Sequence, residues 1–167
     1  MRVLFSEGSS LTAREFASVL GPAGHHIEVM DPDPRRTPAL VPMVRLIHPC
    51  TPSGLDASVY LRATSSVLRR DGFDVLLPTH ERAWLFAGRA APPARGVELA
   101  VSGGEAFARV ESKVAFAELL EELSLPQPAW CHVAKVTDLP DWAYPFYLKA
   151  ACSTAGRGLR AGRSPVP

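Results

Sequence analysis

Along the first hundred residues, apolar and polar positions follow two different rhythms. Short apolar runs occur at "RVLFS" (2–6), "HIEVMD" (26–31), "VPMVRLIHP" (41–49), "FDVLLPT" (73–79) and "VELAVS" (97–102). The fourth is apolar almost without a break, as a parallel strand covered on both faces should be. Between the runs the period becomes helical. Ala13, Phe16, Ala17 and Leu20 form one stripe, and Val59, Ala63 and Val67 form another between about Leu55 and Arg70. A shorter helix is expected over Glu81–Ala87. Thr12 with Glu15 suggests a capping box, Leu11 with Phe16 a hydrophobic staple, and Gly21, Pro22 and Gly24 a stop. Strands alternating with helices predict an α/β fold with a Rossmann-like, doubly wound parallel sheet.

The rhythm changes after Gly104. "SKVAFAELLEELSLPQP" predicts an amphipathic helix with Phe116, Leu119, Leu120 and Leu123 inward and Glu118, Glu121 and Glu122 outward. Two strands are expected next, "AWCHVAKV" (129–136) and "YPFYLKAA" (144–151), separated by "TDLPD". Successive strands after one helix predict a small antiparallel unit. The boundary falls near 103–112, which gives regions 1–104 and 105–167. "LRAGRSPVP" reads as a proline-bearing end and not as a further strand. No internal repeat is present.

Composition narrows the class. Hydrophobic residues make up 47% and charged residues 21%, as in a folded globular chain and unlike a disordered one. The net charge of +1 without a basic run gives no nucleic-acid surface. No apolar stretch approaches the roughly 20 residues of a membrane helix. "MRVLFSEGSS" reads as a first strand and not as a signal peptide. Cys50, Cys131 and Cys152 are three in number and far apart, a usage that fits a reducing cytoplasm. The 16 prolines cluster between periodic segments and mark loops.

Three segments could carry chemistry. "SEGSS" (6–10) leads from a strand into a helix N-terminus, where free N–H groups favour an anion; its alternative is a tight structural turn. It lacks the glycines of a dinucleotide fingerprint, although Asp31 stands where a ribose-binding acid would. "PTHERA" (78–83) places Thr79, His80 and Glu81 at a strand's carboxyl end. An acid–base role competes there with a helix cap. In "YLKAACSTAGRGLR" (147–160) Lys149 ends a strand, and a small-residue loop follows that can approach polyphosphate closely. The order of lysine and glycines is not that of a P-loop. A hairpin turn with a solvated lysine is the alternative.

Taken together these segments resemble the ATP-grasp superfamily of carboxylate–amine and carboxylate–thiol ligases. The resemblance rests on Lys113 at the head of the helix in "ESKVAFAELLEELSLPQPAW", then "SLPQPAW" (124–130), "YPFYLK" (144–149) and "TAGRGL" (154–159) in that order. "RRDGFDVLLPTHERAWLFA" (69–87) also looks like the matching part of the pre-ATP-grasp domain. The resemblance implies a pre-ATP-grasp domain over 1–104 and the incomplete start of an ATP-grasp subdomain over 105–167. It further implies ATP binding, with Lys113 and Lys149 on the phosphates and the backbone of Ser153, Thr154, Ala155, Gly156, Arg157 and Gly158 as a loop above them. Gly8, Ser9, Ser10, Thr79 and Glu81 would help hold a small-molecule carboxylate substrate, which is activated as an acylphosphate for attack by an amine or another nucleophile.

Ser153 and Ala155 stand where many relatives have glycine, and Ala150 where a proline is frequent. The family's Mg²⁺ ligands, adenine-reading hinge and catalytic arginine lie downstream of the positions matched. The expectation is therefore the front part of a ligase that does not catalyse alone. The alternatives are a non-catalytic or partner-completed nucleotide-binding module and, on strand order and Asp31 only, an NAD-binding oxidoreductase domain.

Overall fold

The computed structural model describes residues 1–33, 35, 42–52, 54–88, 94–153 and 158–162, with the backbone alone at Glu81. The chain forms two compact units, Met1–Gly104 and Glu105–Pro167.

In the first unit five parallel strands, β1 (Arg2–Phe5), β2 (His26–Asp31), β3 (Val44–Pro49), β4 (Val75–Leu77) and β5 (Glu98–Leu99), lie in the order β3-β2-β1-β4-β5. β1 is central, with Val3 opposite Ile27 on one side and Val75 on the other. Alternation along β1 sends its side chains to two different cores. Val3 and Phe5 pack with Ile27, Val29 and helix α1 (Leu11–Leu20), whose Ala13 and Ala17 let the helix approach closely. Leu4 packs on the opposite face with Met30, Leu76, Phe86 and the residues Tyr60, Val67 and Leu68 of helix α2 (Ala57–Asp71). Asp56 caps α2 by accepting from the N–H groups of Ser58 and Val59, and Gly72 ends it at φ 62°, the left-handed cap that suits glycine. A 3-10 turn, His80–Arg82, leads into α3 (Ala83–Ala87).

A polar cluster sits within this unit. The Glu28 carboxylate, 3% exposed, accepts from Arg2 Nη2 (2.8 Å) and lies 2.7 Å from His26 Nε2 and 2.6 Å from His48 Nε2. It thereby ties β1, β2 and β3 together beside the point where β3 slips register.

The second unit contains α4 (Gly104–Glu111), α5 (Lys113–Glu122), a 3-10 turn at Val136–Asp138, and strands β6 (Phe146–Lys149) and β7 (Leu159–Gly162) paired antiparallel.

The α/β class and the parallel sheet agree with the sequence pattern, while several local expectations need correction. α1 is capped by Ser10 and not by Thr12; Leu11 and Phe16 are 61% and 42% exposed, so neither staple nor inward stripe includes them. Helix α4 starts at Gly104, within the expected boundary region. Gly104 is required by close approach, since a Cβ on it would lie 2.8 Å from the Ala87 carbonyl. Residues 129–136 form no strand. Pro126 and Pro128 withhold donors nearby; the stretch is tied instead to α5 by Trp130 Nε1 donating to Glu121 (2.8 Å), and the segment just before it by Gln127 Nε2 donating to the Ala117 carbonyl (3.0 Å). The partner of β6 is the stretch read as a chain end, which supplies β7.

Candidate functional site

In the first unit the strand order reverses between β1 and β4, and the crevice beyond their carboxyl ends is where open α/β sheets place ligands. That crevice is laced by the chain's own groups. Ser6 N–H donates to the Leu77 carbonyl (3.1 Å), and Thr79 N–H donates to Ser6 Oγ (2.9 Å). Glu7, 4% exposed, accepts from the N–H groups of Ser9 (2.9 Å) and Ser10 (3.0 Å), from Ser9 Oγ (3.0 Å), from Thr79 Oγ1 (2.8 Å) and from Ser10 Oγ. Gly8 N–H donates to Asp31 Oδ2 (3.2 Å). Burial alone would raise the Glu7 pKa. The hydrogen bonds from Ser10, Thr79 and Ser9, with the Arg82 charge, outweigh it and hold the carboxyl below its usual range.

The loop leading into α1, expected to face an external anion, already holds one supplied by the chain, at the N–H groups of Ser9 and Ser10. Asp31, the candidate ribose acid, is 1% exposed and accepts from Gly8 and from Asp33 N–H (2.8 Å).

Arg82 stands at the same end of the sheet. Its Nη1 donates to the Ser6 carbonyl (2.9 Å), and its guanidinium lies 5.2 Å from the centre of the Tyr60 ring. Burial pushes the Tyr60 hydroxyl pKa up, and it pushes the Cys50 thiol up to about 11, so Cys50 is a protonated thiol at neutral pH. His80 is exposed and takes φ 54°. The side chain of Glu81 lies outside the described residues. Glu7, Arg82 and Tyr60 were not singled out from the sequence. The signal for Glu7 was available, since an acid directly before a Gly-Ser-Ser helix entry is the natural complement of that helix's dipole.

In the second unit Ser112 caps α5 by accepting from Ala115 N–H (3.4 Å), and Lys113 follows as the first helical residue. Lys113 N–H donates to the Ala151 carbonyl (2.9 Å). Its ammonium donates to the Ser153 carbonyl (2.6 Å) and reaches Ser153 Oγ (3.2 Å). Lys149 ends β6 two residues before that Ala151 carbonyl and is exposed, with no hydrogen-bonding or charged partner among the described residues. Ala150 N–H donates to the Gly158 carbonyl (3.2 Å), and Gly158 has φ 71° with no room for a Cβ, which would meet Ala150 Cβ at 2.9 Å. Lys113, Lys149, Ser153 and Gly158 thus belong to one α5–β6–β7 arrangement. Thr154, Ala155, Gly156 and Arg157 lie outside the described residues.

Two cations beside a turn of small residues suit the phosphates of a nucleotide. No group of three or more His, Cys, Asp or Glu side chains among the described residues is placed to hold a metal ion. No helix among the described residues is long and apolar enough to cross a membrane.

No protein-family model and no curated protein matches the sequence. Solved structures do match. N5-carboxyaminoimidazole ribonucleotide synthetase from Thermotoga maritima aligns at TM-score 0.65 and 15% identity over 98% of this chain and 41% of that one. L-amino acid ligase from Bacillus licheniformis aligns at TM-score 0.69 and 14% identity over 98% of this chain and 39% of that one. The fold is that of the ATP-grasp ligases. A third ATP-grasp structure is the biotin carboxylase domain dimer of 2-oxoglutarate carboxylase from Hydrogenobacter thermophilus, solved with MgADP, ADP and bicarbonate. It aligns at TM-score 0.69 and 19% identity over 97% of this chain and 37% of that one. The chain spans about two fifths of the length of these ATP-grasp structures.

Proposed function

We propose that these residues are the front part of an ATP-dependent ligase, with 1–104 as the pre-ATP-grasp domain and 105–167 as the beginning of the nucleotide-binding subdomain. Lys113 and Lys149 bind nucleotide phosphates, and the main chain from Ser153 to Gly158 lies over them. The reaction class is activation of a carboxylate as an acylphosphate, followed by attack of an amine or another nucleophile, with Mg²⁺ as the family's metal. The crevice around Gly8, Ser9, Ser10, Thr79 and Glu81 contributes to the acceptor site. Glu7 already takes the N–H groups of Ser9 and Ser10 and the hydroxyls of Ser9, Ser10 and Thr79, so a substrate bound there shares or displaces those bonds. The three cysteines, free among the described residues, suit a cytoplasmic setting.

The observation that carries the reading is the pairing of Lys113 with the turn that follows Lys149, on a fold shared with ATP-grasp ligases. ATP binding measured by titration calorimetry on the wild-type chain, Lys113→Met and Lys149→Met is the test. Each substitution is expected to weaken binding about tenfold or more, as loss of a charge-assisted phosphate contact does. Wild-type binding that neither substitution alters overturns the assignment. The chain alone is expected to release no ADP in the presence of Mg²⁺, candidate carboxylates and amines; sustained release refutes its dependence on further polypeptide.

A second reading, a module completed by a partner chain, draws support from one feature. No described residue of the second unit is buried. A sharp rise in second-unit amide protection on adding the partner favours it.

A further inference from the structure

Lys113 is the most committed of the chain's three lysines, and its commitments all lead to one short segment. Its main-chain N–H holds the Ala151 carbonyl, and its ammonium holds both oxygens of Ser153. Ser153 Oγ in turn lies 3.3 Å from the Ala150 carbonyl, so residues 150–153 are drawn onto the first turn of α5. Lys149, on the same arrangement, is exposed and has no such partner among the described residues. The two lysines are therefore not equivalent in the nucleotide-free protein. One is a solvated charge ready for an anion; the other already spends its ammonium on a neutral carbonyl and a hydroxyl.

A phosphate oxygen is a far stronger acceptor for an ammonium than either, because the hydrogen bond then joins two full charges. The ammonium has three donors and a flexible stem, so it can exchange one set of acceptors for another. We propose that Lys113 and Ser153 form a nucleotide-sensitive latch. The ammonium that pins Ser153 in the free protein is the one that phosphates claim, so occupation of the phosphate site and release of Ser153 are coupled. This rests on the phosphate-binding reading above and adds to it a direction: the Ser153 hydroxyl opposes nucleotide binding instead of assisting it.

Ser153→Ala separates these roles, because it removes the hydroxyl and leaves Lys113 and the Ser153 carbonyl in place. Acylation of the three lysines by a water-soluble succinimidyl ester, read by mass spectrometry without nucleotide, tests the contact. Lys113 is expected to react faster in Ser153→Ala than in wild type, with Lys135 and Lys149 unchanged as internal references. An unchanged Lys113 rate overturns the latch. ATP titration of the same two proteins tests the coupling. The variant is expected to bind roughly twofold tighter or more, the worth of one weak hydrogen bond released from competition. Equal or weaker binding by the variant overturns the coupling and makes Ser153 a bystander or a direct nucleotide contact. If neither protein binds ATP, the phosphate-binding reading itself fails and the coupling with it, while the acylation result still decides whether Lys113 is held by Ser153.

Discussion

In the first unit Leu4, Phe5, Ile27, Met30, Tyr60, Leu76 and Phe86 are all at 0% exposure, whereas in the second Phe116 keeps 42% and Leu123 keeps 55%. The residue types are the same. What differs is the number of layers around them: a five-stranded sheet takes a helix on each face, while a two-stranded ribbon and two helices enclose little. The first unit therefore has a core that its own residues complete. The second leaves its apolar positions at least partly exposed among the described residues.

The sharpest way to break this contrast is to remove one ring from each unit. Phe86→Ala is expected to cost about 3–5 kcal/mol, the usual range for a fully buried aromatic. Phe116→Ala, from a ring already 42% exposed, should cost no more than about 1 kcal/mol. Urea unfolding with hydrogen exchange to assign each unit measures both. Equal losses would show that the second unit has a core of its own.

A smaller effect concerns charge. Burial raises the pKa of Glu28, but the bonds to His48, His26 and Arg2 outweigh it and leave its carboxyl below 4.5; Glu7 behaves alike through Ser10, Thr79 and Ser9. A carboxylate with a depressed folded pKa adds stability that is complete above its unfolded value and is lost as pH falls through the folded value. The first unit should therefore lose protection below about pH 4.5, the unperturbed carboxyl value from which both are depressed. Glu28→Gln is expected to cost about 1.5–3 kcal/mol at pH 7 and to flatten that acid limb. Thermal melts across pH, with exchange of β3 peptides, provide the measurement. A variant with the wild-type acid limb would remove Glu28 from the account.

The same contrast governs what could be read from the sequence. Strand β2 was legible to the residue in "HIEVMD", although its polar positions Glu28 and Asp31 are buried along with its apolar ones. The parallel sheet followed from alternation alone. The side of α1 was misjudged at Phe16, since Ala13 and Ala17 carry the contact and small residues give a weak hydrophobic signal. In the second unit, periodicity had little to report because little is buried, so a strand was expected at 129–136 and β7 was overlooked. Lys113 and Lys149 were found by their order within a set of motifs. Their unequal partners were not legible, because a lysine holding a carbonyl forty residues away leaves no local pattern. Glu7 was passed over for the opposite reason, in that its role is local but looks like an ordinary polar turn.

The smallest test compares two helix caps of the same residue type. Ser10 Oγ accepts from Ala13 N–H at 3.1 Å while bonded to the buried Glu7, so its loss also leaves one oxygen of that carboxylate a partner short. Ser112 Oγ accepts from Ala115 N–H at 3.4 Å in a unit with no buried residue among those described. Ser10→Ala is expected to cost about 1–2 kcal/mol, and Ser112→Ala about 0.5 kcal/mol. The difference reflects surroundings and not capping itself, since both serines serve helices of ten residues. Restoring the cap with Asp separates the two contributions. Ser112→Asp should match or exceed wild type, because a solvated carboxylate at a helix N-terminus is favourable. Ser10→Asp should stay destabilised, because a second carboxylate would then face Glu7. Equal rescue at both positions would show that Glu7 is not held in the way its hydrogen bonds indicate.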